Sequence, residues 1–296
     1  MKPLQSTEVR ICAIIVTYHP SSGMIDYLQA VLAQTHGLVV VDNGSTATEL
    51  DALHHASQVH GFQLIENIEN LGLAEALNQG VRWARNNGYT WVILFDQDST
   101  ITAGFVDQMF ATWESHPHRE LVCSVHPRYV HPDTGREHKV WRAPDGGPVI
   151  AITSGSLIPT WIFERIGEFA SEYFIDEVDS EYCYRIRAAG YLIADSSEAI
   201  LLHAAGNPQK FSFLGFHFRP GHHSALRRYY MSRNRVVLYR KYFRVFPAWI
   251  LHSIFESLRE TIKSFIVEKD RMHKFRNLLL GTWDGLTGKM GKREGL

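Results

Sequence analysis

Short apolar runs alternate with amphipathic stretches along the first third of the chain. Runs rich in β-branched residues predict strands at 11–18, 38–41, 62–65 and 91–95, and apolar residues at helical spacing predict helices at 23–34 and 73–86. Strands that alternate with helices in this way build a mostly parallel sheet flanked by helices. The pattern therefore predicts an α/β fold.

Two carboxylates, Asp96 and Asp98, follow the apolar run 91–95 and stand one residue apart. Alternate residues of an extended backbone lie on the same side, and ligands of parallel sheets bind where the strands end. Carboxylate oxygens suit Mg²⁺ or Mn²⁺ shared with a diphosphate. The alternative is a solvated turn in which Ser99 caps the next helix.

The middle of the chain is less regular. The segment 122–149 is rich in Pro, Gly and His and predicts short irregular strands over the sheet, and 150–158 predicts a strand with a tight glycine, followed by a helix around 161–166. Four acids then fall within six residues, from Asp176 to Glu181, ahead of a helix that ends at Gly190. A helix start needs only one or two of these acids.

The charge changes sign towards the C-terminus. Residues 1–204 contain 12 Lys and Arg against 25 Asp and Glu, whereas residues 205–296 contain 18 against 6. We therefore predict a domain over 1–205 and a basic helical extension over 206–296. Within the extension, apolar residues recur every three or four positions from Leu251 to Phe265, which indicates an amphipathic helix.

Three partners fit such a helix: an anionic membrane surface, the domain over 1–205, or a second subunit. A solvated helical face or a nucleic-acid surface is a further alternative for the basic residues. Aromatic residues among the basic ones suit a membrane interface equally well, and the acidic first half would repel a nucleic acid. We therefore expect no nucleic-acid partner.

Three cysteines, Cys12, Cys123 and Cys183, lie far apart in apolar surroundings, so we expect small core residues without disulfides or zinc. The sequence has neither a signal-peptide pattern nor eighteen uncharged apolar residues in a row. We therefore expect a protein that is cytosolic or that sits on a membrane without spanning it.

Taken in order, the strand-end clusters resemble those of the family 2 nucleotide-sugar glycosyltransferases. The clusters are Val16-Thr17-Tyr18, Asp42-Asn43-Gly44-Ser45, Asn70-Leu71-Gly72, Asp96-Gln97-Asp98-Ser99 and the acids from Asp176 to Glu181. The last two, with Arg227-Arg228-Tyr229-Tyr230 and Arg233-Asn234, are most similar to rhamnosyltransferases that build bacterial surface polysaccharides or rhamnolipids. The resemblance covers essentially the whole chain.

The resemblance implies a Rossmann-like GT-A fold and an inverting transfer of a sugar from a nucleoside diphosphate to a hydroxyl. It implies that Thr17, Tyr18 and Asp42 bind the base, although strand-end packing and an Asx turn also explain them. Asn70 and Gly72 would shape the loop against the nucleotide, or simply form a turn that caps a helix.

The same resemblance implies the metal and acceptor sites. Asp96 would hold the ribose or the metal, Asp98 the Mg²⁺ or Mn²⁺ that bridges the phosphates, and His203 would complete the metal site unless it is structural. Thr153, Ser154 and Gly155 correspond to an acceptor-facing loop.

The catalytic base of the family is the Asp of a Glu-Asp pair, from which this chain departs. Alignment on Arg185 places Val178-Asp179 at the pair, while Asp176-Glu177 is a second acidic pair. We choose Asp179 as base, Asp176 as the runner-up and Glu181 as an orienting acid. Helix capping and a salt bridge to Arg185 or Arg187 would explain at least one of these acids.

The expected activity is transfer of L-rhamnose from dTDP-L-rhamnose to a glycan or lipid-linked acceptor, with a UDP-sugar hexosyltransferase as the alternative. Asp96-Gln97-Asp98 also resembles the Asp-x-Asp motif of haloacid-dehalogenase-like phosphatases. In that fold the motif follows the first strand, whereas here it follows the fourth predicted strand.

Overall fold

The computed structural model describes residues 8–21, 23–203, 211–213, 216–218, 223–267 and 270–294. Their strands are β1 (Ile11–Thr17), β2 (Gly37–Asp42), β3 (Gln63–Glu66), β4 (Trp91–Asp96), β5 (Thr100–Ile101), β6 (Val122–Val130), β7 (Leu157–Pro159), β8 (Leu192–Leu202), β9 (Phe211–Phe213) and β10 (Phe216–Phe218). The α-helices are α1 (Met24–Leu32), α2 (Ala47–His60), α3 (Leu73–Asn86), α4 (Phe105–Ser115), α5 (Ile162–Ile166), α6 (Val178–Ala188), α7 (Ala225–Tyr242), α8 (Pro247–Val267) and α9 (Arg271–Thr287). The 3₁₀ helix Ser171–Tyr173 precedes α6.

The chain divides into two compact units, residues 1–171 with 182–204, and residues 172–181 with 205–296. The acidic segment 172–181 is thus grouped with the C-terminal residues. The predicted boundary between 1–205 and 206–296 lies outside the described residues and stays a prediction.

One mixed sheet runs through the first unit in the order β3-β2-β1-β4-β7-β6-β8-β5. The pairs β1–β2, β1–β4, β2–β3 and β6–β8 are parallel, and the pairs made by β7 and β5 are antiparallel. The predicted α/β fold with a mostly parallel sheet is confirmed. Thr17 is in register with Asp42, and Val16 with Asp96, so three strands end at one edge.

The core of this unit lies between the sheet and its helices. Residues 91–95 and 11–15 are buried, as strands covered on both faces must be. Cys12, Cys123 and Cys183 are buried thiols, and burial raises the pKa of Cys12 and of Cys123 to about 12. The expectation that they are core residues agrees with this.

The irregular strands expected over 122–149 are wrong in part. Residues 122–130 form a single inner strand of nine residues, β6, which pairs with both β7 and β8. Pro127 is tolerated there because the register shifts between His126 and Arg128, so the missing N–H falls at an irregularity. The Pro and His content concealed this strand.

The strand expected over 150–158 is also shorter than predicted. Only Leu157–Pro159 is a strand, because the chain turns where the Ser156 N–H donates to the Thr153 carbonyl. Gly155 has a φ of +82°, and a Cβ there would lie 2.7 Å from Pro127 Cγ. Glycine is therefore required at this turn by both conformation and space.

In the second unit, α7 packs along α9. The Tyr229 hydroxyl donates to Asp284 Oδ2 at 2.7 Å, and the Ser232 hydroxyl donates to the Leu278 carbonyl at 2.9 Å. The amphipathic helix predicted from Leu251 to Phe265 lies within α8. None of the helices in the described ranges has the length and apolarity needed to cross a bilayer.

Candidate active site

The ends of β1 and β2 are joined through the carboxylate of Asp42, which is fully buried. Its Oδ2 accepts from the hydroxyls of Thr17 at 2.8 Å and Ser45 at 2.5 Å, and its Oδ1 accepts from the N–H groups of Gly44 and Ser45. Two donors on each oxygen commit the carboxylate to the loop. A hydrogen bond from Asp42 to a base would have to displace one of them, so that role stays a prediction.

The next residue along the chain, Asn43, connects this loop to the turn before α3. Its Oδ1 accepts from the Leu71 N–H at 3.0 Å, and its Nδ2 donates to Asn70 Oδ1 at 3.1 Å. Asn70 Oδ1 also accepts from the Gly72 N–H, and Gly72 has a φ of +90°. Asn70 and Gly72 therefore lie together, next to the end of β2.

The backbone at Tyr18 is held by the residue between the two acids. The Tyr18 N–H donates to Gln97 Oε1 at 2.8 Å, and Gln97 Nε2 donates to the Tyr18 carbonyl at 3.1 Å. The Tyr18 side chain is 45% exposed and contacts the ring of His19 at a centroid distance of 4.2 Å. An exposed aromatic ring at a strand end is suitable for stacking on a base.

Asp96, Asp98 and His203 are brought together at the ends of β4 and β8. One ligand atom from each residue lies within 4.8 Å of the other two. Two carboxylate oxygens and an imidazole nitrogen are a donor set that Mn²⁺ or Mg²⁺ accepts. The residues present therefore fit the predicted divalent cation.

The protonation state of His203 at neutral pH favours metal binding. Burial lowers the pKa of His203, and the charge of Asp98 partly offsets the effect. The imidazole is therefore neutral at neutral pH, which is the form that binds a metal ion. Burial and the charges of Asp96 and Asp98 also raise the pKa of the nearby Tyr27 phenol.

Two buried serines contact the residues Asp96 and His203 of this candidate metal site, which we call the cation group together with Asp98. The Asp96 N–H donates to Ser154 Oγ at 3.0 Å, and the hydroxyls of Ser154 and Ser99 are 2.8 Å apart. Ser99 Oγ in turn lies 3.4 Å from His203 Nδ1. These contacts indicate that Ser154 positions Asp96 and, through Ser99, His203. An acceptor-facing role for Thr153, Ser154 and Gly155 stays a prediction, and the partly exposed Thr153 fits it best.

The acidic segment of the second unit has an unusual backbone. Phe174, Asp176 and Glu177 all have positive φ values, between +62° and +63°. Such conformations cost roughly 1–3 kcal/mol each in non-glycine residues and persist only where surrounding contacts enforce them.

Two buried residues of α7 enforce them here. Asn234 Nδ2 donates to the carbonyls of Tyr173, Ile175 and Asp176, at 2.9, 2.7 and 2.8 Å. The guanidinium of Arg233 donates to the Tyr173 carbonyl at 3.1 Å and lies 4.8 Å from the ring of Tyr230. The strained loop is thus fixed by side chains almost sixty residues away.

The acids of this segment differ in their partners. Arg227 forms a forked ion pair with Asp176, Arg235 pairs with Glu177 at 2.7 Å, and the fully buried Glu181 accepts from Lys241 and Tyr242. Burial raises the pKa of Asp176, although Arg227 lowers it.

Asp179 lies in the first turn of α6 and is partly exposed. Its Oδ1 accepts from the Ser180 N–H at 2.8 Å. The choice of Asp179 as base, with Asp176 as the runner-up and Glu181 as an orienting acid, stays a prediction.

Some residues that build the site escaped the sequence analysis. They are Asn43, Gln97 and Ser99. Ser99 was considered only as a helix cap, whereas its hydroxyl lies next to His203. For Asn43 and Gln97 the available signal was position, since each is a polar residue inside a strand-end cluster. Asn234 lay in a quoted motif, but its partners are distant in sequence and could not be deduced.

The family model described as Glycosyl transferase family 2 matches residues 12–169. The chain belongs to glycosyl transferase family 2. It is therefore a glycosyltransferase, as the strand-end clusters predicted, and the phosphatase alternative is excluded.

One relative of this family 2 glycosyltransferase is similar in sequence over nearly its whole length. It is 29% identical over 297 residues to the dTDP-rhamnosyl transferase RfbF of Shigella flexneri, covering 95% of this chain and 97% of that protein.

Two solved structures share the fold. The mannosyltransferase PcManGT from Pyrobaculum calidifontis, in complex with GDP-Man and Mn²⁺, has a TM-score of 0.60 at 16% identity, covering 96% of this chain and 89% of that one. S. aureus TarS 1–349 has a TM-score of 0.56 at 11% identity, covering 95% of this chain and 72% of that one.

Proposed function

We propose that this glycosyltransferase moves L-rhamnose from dTDP-L-rhamnose, with inversion, to a hydroxyl of a glycan or glycolipid acceptor in bacterial cell-surface polysaccharide synthesis. The observation that carries the donor is the similarity to a dTDP-rhamnosyl transferase over nearly the full length of both chains. The donor set at the sheet edge supports the reaction type.

Asp96, Asp98 and His203 would hold Mg²⁺ or Mn²⁺ in this proposal, and Ser99 and Ser154 would orient them. A cation bound there would act as a Lewis acid that stabilises the charge developing on the departing diphosphate. The PcManGT complex, which contains Mn²⁺ and GDP-Man, lends support through its shared fold.

The nucleotide would lie along the ends of β1, β2 and β4. Tyr18 presents an exposed ring for the base, and Thr17 and Asp42 hold the adjoining loop. Asn70 and Gly72 shape the neighbouring turn through Asn43. Asp96 is close enough to the same edge to bind either the ribose or the metal.

Asp179 would accept the proton of the attacking hydroxyl as the bond to rhamnose breaks. A general base within hydrogen-bond reach of the acceptor contributes about 10²–10⁴ in rate. Glu181, buried against Lys241 and Tyr242, would help to fix the start of α6. Asp176 is the second candidate because burial raises its pKa.

In this proposal the enzyme works at a membrane surface, because its acceptor is lipid-linked. The 18 Lys and Arg residues of the segment 205–296, against 6 acids, support an anionic membrane surface as partner. We place the enzyme at the cytoplasmic face of the inner membrane, where a lipid-linked glycan would be extended.

Calorimetric titration of the purified protein tests the donor. With Mn²⁺ present, dTDP-L-rhamnose should bind at least about fivefold more tightly than UDP-glucose or UDP-galactose, since both the base methyl and the sugar differ. Equal binding of the three nucleotides would contradict the donor assignment. Tighter binding of a UDP-sugar would indicate a hexosyltransferase instead.

A further inference from the structure

The second unit exposes two rows of large apolar side chains. The rows are Leu251, Phe255, Leu258, Ile262 and Phe265 on α8, and Met272, Phe275, Leu279, Trp283 and Leu286 on α9. Each row follows a spacing of three and four residues and therefore occupies one side of its helix. The rows meet where the rings of Phe265 and Phe275 lie 5.9 Å apart, edge to face.

This two-helix face is larger than an isolated exposed residue would explain. Phe255 and Trp283 are both 62% exposed, and every member of the two rows is at least 40% exposed. Contiguous apolar surfaces of this kind mark interaction sites on proteins. The two-helix face is therefore a candidate interaction surface.

The charges around the face are unevenly distributed. Arg271 and Arg276 flank the row of α9 on its two sides. In the described parts of the two helices, the acids lie off the rows: Glu256 and Glu260 pair with Arg259 and Lys263, and Asp284 is buried against Arg293. Asp270 stands outside the helix, at the N-cap of α9.

A cationic cleft opens at the junction of the rows. It is lined by Arg228, Thr261, Ser264, Phe265, Arg271, Lys274, Phe275 and Leu278. Three cations thus border the same two phenylalanine rings, and one of them, the buried Arg228, donates to Ser264 Oγ. The cleft is open to solvent and small, with a volume of about 20 Å³, which is enough for an oxygen-sized group.

We propose that the two-helix face is a membrane-docking surface whose cleft, lined by Arg228, Arg271 and Lys274, receives a phosphate oxygen of an anionic phospholipid. The apolar rows enter the acyl region while Arg271 and Arg276 remain at the level of the headgroups. This inference deepens the membrane partner proposed above by naming the surface and the class of lipid.

A second copy of the chain is the competing occupant of the face. A symmetric dimer through this face would bring the cations of both copies into one interface. The described acids that could compensate lie off the rows, so charge complementarity favours an anionic bilayer.

Co-sedimentation with lipid vesicles tests the inference. The full-length wild type should bind vesicles of phosphatidylcholine with about one-third phosphatidylglycerol, and bind pure phosphatidylcholine at least about tenfold more weakly. The variant Phe255→Ser/Trp283→Ser should lose about tenfold or more in partition, since two exposed aromatic anchors are removed. The variant Arg271→Ser/Lys274→Ser should lose most of the preference for phosphatidylglycerol.

Matched controls come from exposed residues of the first unit. Ile68→Ser removes a fully exposed apolar side chain, and Arg136→Ser removes an exposed cation. Both should bind vesicles as the wild type does. Melting curves of the aromatic variant and of the two controls should coincide with that of the wild type, because the substituted side chains are exposed. Lys274 is partly exposed, so the melting curve of Arg271→Ser/Lys274→Ser checks that this variant is folded.

Three results would overturn the inference: undiminished binding by the aromatic variant, equal affinity of the wild type for the two kinds of vesicle, or a wild-type dimer that the aromatic variant converts to monomer in light scattering. Donor turnover with a soluble acceptor should be unchanged in the variants. An absence of donor turnover in the wild type would count against the proposed activity. Vesicle binding is measured without donor and therefore reports only on the two-helix face.

Discussion

Asn234, a buried residue of α7, donates to the backbone carbonyl of Asp176 at 2.8 Å. The same amide group also reaches two neighbouring carbonyls of the segment, so one side chain fixes a loop with three left-handed residues. This segment carries the candidate catalytic acids. The arrangement of those acids therefore depends on a residue that is distant in the sequence.

Replacing Asn234 with Ala should destabilise the protein by about 3 kcal/mol, because three carbonyls lose a buried donor. Urea denaturation measures this loss. Asn87→Ala, which removes an amide from the exposed end of α3, is the control and should cost less than about 1 kcal/mol. A cost for Asn234→Ala no larger than the control would show that the loop does not depend on this residue.

Asp179→Asn should retain donor affinity and lower kcat by about 10²–10⁴, since an amide cannot accept the proton of the attacking hydroxyl. Titration calorimetry and initial rates measure the two quantities separately. Asp176→Asn is the matched variant, and it should keep more activity because the proposal assigns the proton transfer to Asp179, whereas Asp176 forms an ion pair with Arg227. Full activity of Asp179→Asn would move the role of base to Asp176.

Ser154→Ala should weaken Mn²⁺ binding by about tenfold or more, because residues that orient metal ligands influence affinity on that scale. The hydroxyl accepts from the Asp96 N–H and contacts Ser99. Titration of Mn²⁺ against the nucleotide-free protein measures the effect. Thr153→Ala, one residue away and partly exposed, should bind Mn²⁺ normally; if both variants bound it normally, Ser154 would have no positioning role.

Acid should destabilise the protein through His126. Burial lowers the pKa of His126 from 6.5 to about 4, so the unfolded chain binds a proton that the folded chain does not. The stability is fully present above about pH 6.5 and is lost as the pH falls towards 4, by about 3 kcal/mol in total.

The wild type should therefore lose about 2 kcal/mol more than His126→Gln between about pH 7.5 and about pH 5. Urea denaturation at the two pH values measures the difference. Identical losses in the two proteins would show that His126 is not responsible.

The edge of the sheet that carries the cation group was accessible from the sequence. Periodicity located β1 to β4, and strand-end position then singled out Asp96 and Asp98. Parallel strands end at the same edge, so the topology itself brings together Thr17, Asp42 and Asp96.

The remaining features depend on contacts between residues far apart in the chain. Pro127 concealed the strand β6 because proline is tolerated at an irregular register that only the paired strands reveal. Ser154 looked like an accessible polar residue, yet it is 1% exposed beneath Asp96. The positive φ of Asp176 depends on Asn234, and local sequence preference opposes it.

The most direct test of the account is sugar transfer from dTDP-L-rhamnose, measured with and without Mn²⁺ in the wild type and in Asp96→Asn/Asp98→Asn. The wild type should transfer rhamnose only when the cation is present, and the double variant should lose at least about 10³ of the rate, because the diphosphate would leave without charge stabilisation. Transfer by the double variant at the wild-type rate, or transfer by the wild type in the presence of a strong chelator, would contradict the central claim.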